Sequence, residues 1–237
     1  MSEIILYFKN HILKVLNCSV YNTVVWATKI LIYPFFNIVS HAKCNYSDKK
    51  PLIFAMNHIS AFDPFIVTAV CSEKIHYLAK SDLSNHWMTW IFLKSVGAVF
   101  IKRNYADIKG LKLALKLLKE KKSIGIFPEG KVDISKRHSN ADESSQYKVD
   151  NLQTGVALLA MRSGSPIIPV LIQGTEDLST LKLSLRKKRR LKVFFGEPIN
   201  GREITNELNG TSYKEQKKYL VEILKNNLNT LDGKALS

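Results

Sequence analysis

Leu52-Ile53-Phe54-Ala55-Met56-Asn57-His58-Ile59-Ser60-Ala61-Phe62-Asp63-Pro64 is the stretch that decides the architecture. Its opening run is apolar without a break, the pattern of a strand buried on both faces. Polar turn chemistry follows, and then Pro64, a residue that favours the first turn of a new helix. Strand, turn and helix start in direct succession are the opening of an α/β unit.

Working outward, the same alternation continues to the end of the chain. Apolar runs near 51–56, 74–79, 97–102, 123–127, 166–172 and 191–195 read as strands, and 64–72, 83–94, 105–121, 151–163 and 211–229 read as helices. The expected fold class is α/β, a mainly parallel central sheet flanked by helices. Between Asp107 and Lys122, Leu111, Leu115 and Leu118 share one helical face and Lys112, Lys116 and Lys119 another, so that helix lies on something apolar. Residues 131–150 are polar and aperiodic, a long loop able to cover a site.

Residues 1–45 form a different region. Val15–Thr28 and Ile30–Ala42 are uncharged blocks separated by Lys29, and neither reaches the roughly 20 residues a spanning helix needs. Tyr21, Trp26, Tyr33, Phe35 and Phe36, with Lys9, Lys14 and Lys29 nearby, suit a helical segment lying in the headgroup region of a membrane. Core helices covering one side of the next domain, or one tilted span, are the alternatives. The division expected is therefore an N-terminal helical membrane-associating segment, 1–45, and an α/β domain, 46–237.

Composition narrows the function without choosing it. The 237 residues carry 35 Lys and Arg against 20 Asp and Glu, a net charge of +15, with 46% hydrophobic residues. A chain of this kind buries a core and is drawn to polyanions: nucleic acid, an anionic membrane surface or phosphorylated substrates. The densest charge is Lys182, Arg186, Lys187, Lys188, Arg189, Arg190 and Lys192. No aromatic residue interleaves that run, so base stacking is not signalled, and no nucleic-acid partner is expected. Cys18, Cys44 and Cys71 show neither the pairing of a disulfide framework nor a zinc-ligand pattern.

Three clusters carry chemistry. His58, after the first apolar run, is a side chain able to accept a proton near neutral pH, and Asp63 could bond its other ring nitrogen. The plainer alternative makes Asp63 a helix cap and His58 a loop residue. Gly97-Ala98-Val99-Phe100-Ile101-Lys102-Arg103 ends a strand with two cations, a receiver for phosphate or simply a solvated end. Ile126-Phe127-Pro128-Glu129-Gly130 puts a carboxylate after another strand. Gly125 to Lys131 imitates a nucleotide-binding loop, but Val132 replaces the required hydroxyl and Pro128 removes a backbone donor, so nucleotide binding is rejected. No Gly-x-Ser-x-Gly nucleophile is present, so the substrate itself must supply the attacking group.

In this order the clusters resemble the phospholipid and glycerolipid acyltransferase family. His58 and Asp63, preceded by Asn57, match its His-x4-Asp motif; Gly97 to Arg103 match Gly-x-x-Phe-Ile-x-Arg; Phe127 to Gly130 match Phe-Pro-Glu-Gly; Pro166 to Val170 look like its proline-containing strand. Lys80 resembles a lysine the family carries between the first two motifs. The resemblance implies His58 and Asp63 as the catalytic pair, with Asn57, Lys80, Gly97, Phe100, Lys102, Arg103, Pro128, Glu129 and Gly130 around the substrate.

It further implies transfer of an acyl group from acyl-CoA or acyl-carrier protein to the free hydroxyl of a lysophospholipid, 1-acyl-glycerol-3-phosphate first. No metal or bound cofactor is expected, and the implied location is the cytoplasmic face of a membrane with anionic lipid. The alternatives are another lysophospholipid acceptor or a catalytically silent lipid-binding protein. Lys131-Val132-Asp133 and Leu152-Gln153-Thr154-Gly155 depart from the family pattern on the side expected to meet the headgroup.

Overall fold

The computed structural model describes residues 21–23, 25–30, 32–41, 46, 50–80, 93–101, 108–130, 152–175, 189–208 and 210–235. Seven strands form one sheet: β1 (Phe36–His41), β2 (Ile53–Met56), β3 (Ile75–Lys80), β4 (Val99–Ile101), β5 (Ser123–Ile126), β6 (Ile167–Gln173) and β7 (Arg189–Phe195). They lie in the order β1-β7-β6-β2-β5-β3-β4. Every pair is parallel except β6 with β7.

The helices are α1 (Asp63–Val70), α2 (Ile108–Lys119), α3 (Gly155–Ser163), α4 (Gly201–Glu207) and α5 (Tyr213–Ala235). Strand β2 is buried along its whole length because both faces of the sheet are covered. Phe54 and Met56 point into one core with Ile66, Val67, Tyr77 and Val193. Ile53 and Ala55 point into the other with Ala114, Leu118, Leu159 and Leu224, from α2, α3 and α5. The period of two along the strand thus feeds two cores at once. In α2 the buried stripe is Gly110, Ala114 and Leu118, flanked by Leu111 and Leu115, and Lys112, Lys116 and Lys119 are exposed as expected. Ser212 and Glu215 close a capping box at the start of α5, with the Ser212 N–H donating to Glu215 Oε2 at 2.9 Å and the Glu215 N–H to Ser212 Oγ at 3.3 Å.

The N-terminal region requires a correction. Residues 21–23 and 25–30 are helical, but Phe36–His41 is a strand, paired in parallel with β7 from Phe36 opposite Arg189 to His41 opposite Phe194. The boundary expected at residue 45 therefore falls beyond a strand of the sheet. Pro34 breaks the preceding helical stretch, and a short apolar run after such a break has no periodicity that separates strand from buried helix. Tyr21, Ile32 and Phe36 are buried in the β2 core, whereas Trp26, Ile30 and Tyr33 are exposed. No helix among the described residues is long and apolar enough to cross a membrane. Residues 1–20, the loop 131–150 and the basic residues 182–188 lie outside the described residues. Cys71, which ends α1, is disulfide-bonded, contrary to the reading of the cysteine spacing. Spacing along a chain does not report the separation in space that permits a bond.

Strand direction sets the geography of the site. β2, β3, β4, β5 and β6 run the same way, so their carboxyl ends share one edge of the sheet. β7 is antiparallel to β6, with Lys192 opposite Gln173, so β7 begins at that edge, and so does β1 beside it.

Candidate active site

The site starts where β2 stops. Asn57 continues the ladder by side chain as well as by backbone: its Nδ2 donates to Ile172 O at 2.9 Å and its Oδ1 accepts the Ile172 N–H at 2.7 Å. Asn57 was expected at the substrate, but it is fully buried and spends its amide on β6. Leaving those backbone groups unpaired in the interior would cost about 1–3 kcal/mol each, so the amide ties the residue before His58 to the neighbouring strand.

From there the chain folds back. Ile59 is buried, the Phe62 N–H donates to Ser60 Oγ at 3.3 Å, and the Asp63 N–H donates to Ser60 O at 3.2 Å. Pro64 then sets the first turn of α1. The Asp63 carboxylate does not cap that helix. Its Oδ2 accepts the backbone N–H groups of Ile59 at 2.9 Å and Ser60 at 2.8 Å and lies 3.0 Å from His58 Nδ1. Its Oδ1 accepts the Thr175 hydroxyl at 2.8 Å.

Asp63 is 0% exposed and the His58 side chain 17%. Partners that donate fit a carboxylate, so Nδ1 carries the imidazole proton and Nε2 is left with its lone pair. An oriented ring with a bare nitrogen, at the mouth of an otherwise buried network, is the geometry a general base requires.

One face of that ring is fixed by the third motif. Phe127 stacks on His58 with centroids 4.1 Å apart and planes 27° apart. Tyr77 lies behind Phe127, nearly parallel at 14° and 6.4 Å. The Tyr77 hydroxyl donates to Pro64 O at 3.0 Å and is 2.9 Å from Thr68 Oγ1, so β3 is braced against the helix that carries Asp63. Burial pushes the Tyr77 phenol above its ordinary pKa and keeps it a neutral strut. Gly125 makes the stack possible. A Cβ there would lie 2.7 Å from Ile75, 2.8 Å from Tyr77 and 2.9 Å from Met56. Gly125 sits inside β5, opposite Phe54 and Tyr77, rather than in a phosphate-cradling loop.

Pro128 is buried and its carbonyl accepts the Gln153 N–H at 2.7 Å. Glu129 and Gly130 are half-buried, and the Gly130 N–H donates to Phe127 O at 3.0 Å. With φ at +75°, a side chain at Gly130 would be strained, and its Cβ would displace the Gln153 amide. The motif turn and the stretch that departs from the family pattern are thus in contact.

Gly97, also expected around the substrate, closes a helical turn. Its φ is +68°, its N–H donates to Lys94 O at 3.0 Å and the Ala98 N–H donates to Leu93 O at 2.8 Å, the two bonds of a Schellman ending. A Cβ at Gly97 would sit 2.5 Å from His76 Nδ1, so the His76 ring packs on bare backbone. Phe100 packs against the β2 core. Lys80 ends β3 opposite Ile101, which ends β4, so both strands deliver the chain to the edge that holds His58. The side chain of Lys80, and all of Lys102 and Arg103, lie outside the described residues.

Sequence reading missed Thr175 and Tyr77, and it marked Gln153 only as part of a departure from the family pattern. A Gly-Thr pair directly after an apolar strand was the available signal for Thr175; nothing marked Tyr77.

Residues 37–173, more than half of the chain, match the profile of the Acyltransferase family. The chain belongs to that family. This acyltransferase is 24% identical over 209 residues to the 1-acyl-sn-glycerol-3-phosphate acyltransferase of Bacillus subtilis, an alignment covering 88% of this chain and 94% of the relative. It is 30% identical over 141 residues to the enzyme of the same name from Borreliella burgdorferi, covering 56% of this chain and 50% of that one. Its fold matches the crystal structure of the 1-acyl-sn-glycerophosphate acyltransferase PlsC from Thermotoga maritima with a TM-score of 0.62 at 20% identity, over 92% of this chain and 80% of the other.

Proposed function

We propose that this acyltransferase moves an acyl group from acyl-CoA or acyl-carrier protein to the free hydroxyl of 1-acyl-glycerol-3-phosphate, giving phosphatidic acid. The carrying observation is the His58–Asp63 pair, 3.0 Å apart, with the carboxylate buried and the ring reachable. Nε2 of His58 takes the hydroxyl proton as the oxygen attacks the thioester carbonyl. Collapse of the tetrahedral intermediate breaks the C–S bond, and the departing thiolate takes the proton back from the imidazolium. Proton acceptor and leaving group are both accounted for, so the reaction needs no resident metal or cofactor. Lys80, Lys102 and Arg103 hold the phosphate, and Glu129 and Gly130 shape the glycerol end.

A second acceptor reading, another lysophospholipid, is favoured by the contact between Gln153 and Gly130, because a departure from the family pattern abuts the proposed glycerol site. The acyltransferase works at the cytoplasmic face of a membrane containing anionic lipid. Supporting this are the exposed Trp26, Ile30 and Tyr33 beside Lys29 and Pro34, next to the sheet edge that carries His58, together with the net charge of +15.

The test is purified protein given a panel of lysophospholipids with each donor. Transfer to 1-acyl-glycerol-3-phosphate is expected, and His58→Ala should lower it by about 100- to 10,000-fold in a protein that still melts cooperatively. Full activity in that variant rejects the assigned base.

A further inference from the structure

We propose that Thr175 is a positioning residue for His58, acting through Asp63, and that the end of β6 is built to hold it there. The inference rests on the proposed role of His58. On Oδ2 the carboxylate meets His58 and two N–H groups, all from residues 58–60. Those donors all meet one oxygen, and none of them meets Oδ1. Thr175 Oγ1, 2.8 Å from Oδ1 and 0% exposed, grips the other oxygen from just past the end of β6, 112 positions away in sequence. With both oxygens held, the lone pair of Oδ2 stays aimed at Nδ1, and Nδ1 keeps the proton.

The placement of Thr175 depends on two neighbours. Asn57 pairs with both backbone groups of Ile172, registering the end of β6 on the residue that precedes His58. Gly174 turns the chain with φ at +87°, and a Cβ there would stand 2.5 Å from Arg190 O on β7. Only a residue without a side chain makes that turn against a neighbouring strand, and the turn brings the hydroxyl back over Asp63.

The experiment compares Thr175→Val, which keeps the shape and loses the donor, with Thr175→Ser, which restores it. Thr175→Cys, a weak donor of similar size, serves as the second variant should valine prevent folding. Each is followed by steady-state kinetics with 1-acyl-glycerol-3-phosphate and acyl-CoA, and by the imidazole ¹⁵N–¹H correlations of His58, assigned by their loss in His58→Ala. The valine variant should lose about 10- to 100-fold in kcat, the worth of one hydrogen bond to a charged group. Both KM values should stay within about twofold, and the Nδ1–H tautomer should give way to a mixture. Serine should recover both readouts and cysteine should fall between. If kcat and the tautomer are unchanged while only the melting temperature moves, Thr175 is a packing residue and the proposal is overturned. If wild-type protein transfers no acyl group yet the tautomer shifts in Thr175→Val, the proposed function fails and the positioning role stands.

Discussion

Two regions at one edge of the sheet are built by opposite rules. After β2, a carboxylate, an amide and a hydroxyl (Asp63, Asn57 and Thr175) are each fully buried. Before β1, Trp26 is 66% exposed, with Ile30 and Tyr33 exposed beside it. Folding alone favours neither arrangement, since burying a polar group costs free energy unless it is paired, and large apolar side chains gain by leaving water. The first region meets its cost with hydrogen bonds from β6, from Thr175 just past it and from the turn 58–60, which makes it rigid. The second leaves its large apolar side chains exposed, the surface on which the proposed membrane contact rests.

The sharpest break of the first region is Asp63→Asn. It keeps the size but presents an amide to donors, so the tautomer and its orientation are lost. We expect kcat to fall about 1,000- to 10,000-fold, a loss that acyl-transfer assays at saturating substrate read directly. Next, Gly125→Val pushes on Tyr77, and through Phe127 on His58. The overpacking should cost about 1–3 kcal/mol and lower the melting temperature by about 2–12 °C, with kcat reduced several-fold. An unchanged melt would mean that the stack has room to spare.

In the second region, replacing Trp26 and Tyr33 together by serine should weaken sedimentation with anionic vesicles by about tenfold. Turnover of a short-chain, water-soluble acceptor should stay within about twofold. Equal losses in both assays would erase the distinction between the regions.

The smallest effect concerns His76, whose pKa burial lowers, opposed by the bond between its Nδ1 and Gly97 O. A histidine with a depressed folded pKa binds fewer protons folded than unfolded, so its contribution to stability is present above the unfolded value of about 6.5 and is lost as pH falls toward the folded one. The melting temperature should therefore drop on acidification from pH 7 toward pH 5, and His76→Gln should make that part of the dependence shallower.

Several of these features were legible in the chain. Unbroken apolar runs such as Ile53–Met56 and Ile167–Ile172 announced strands covered on both sides, and the leucine and lysine faces of α2 announced its packing. Five positions between His58 and Asp63, closed by Pro64, were enough to suggest a turn that returns on itself. The same reading put Asn57 and Gly97 around the substrate without showing that Asn57 pairs with Ile172 or that Gly97 closes a helical turn, because a motif reports which residues matter and not what each one touches. It gave the N-terminal apolar block to a helical segment because a run as short as Phe36–His41 has no period to betray it.

The sequence by itself thus determined the alternation of strands and helices from Leu52 onward and the pairing of His58 with Asp63, since these depend on local periodicity and on groups a few residues apart. Only the tertiary structure decided that β1 belongs to the sheet, that Asn57 holds Ile172, that Phe127 rests on Tyr77 and that Thr175 reaches Asp63. Those contacts join residues that folding alone brings together, and the free energy that selects them comes from burial shared among distant segments. No local pattern records which distant partner will fill that space.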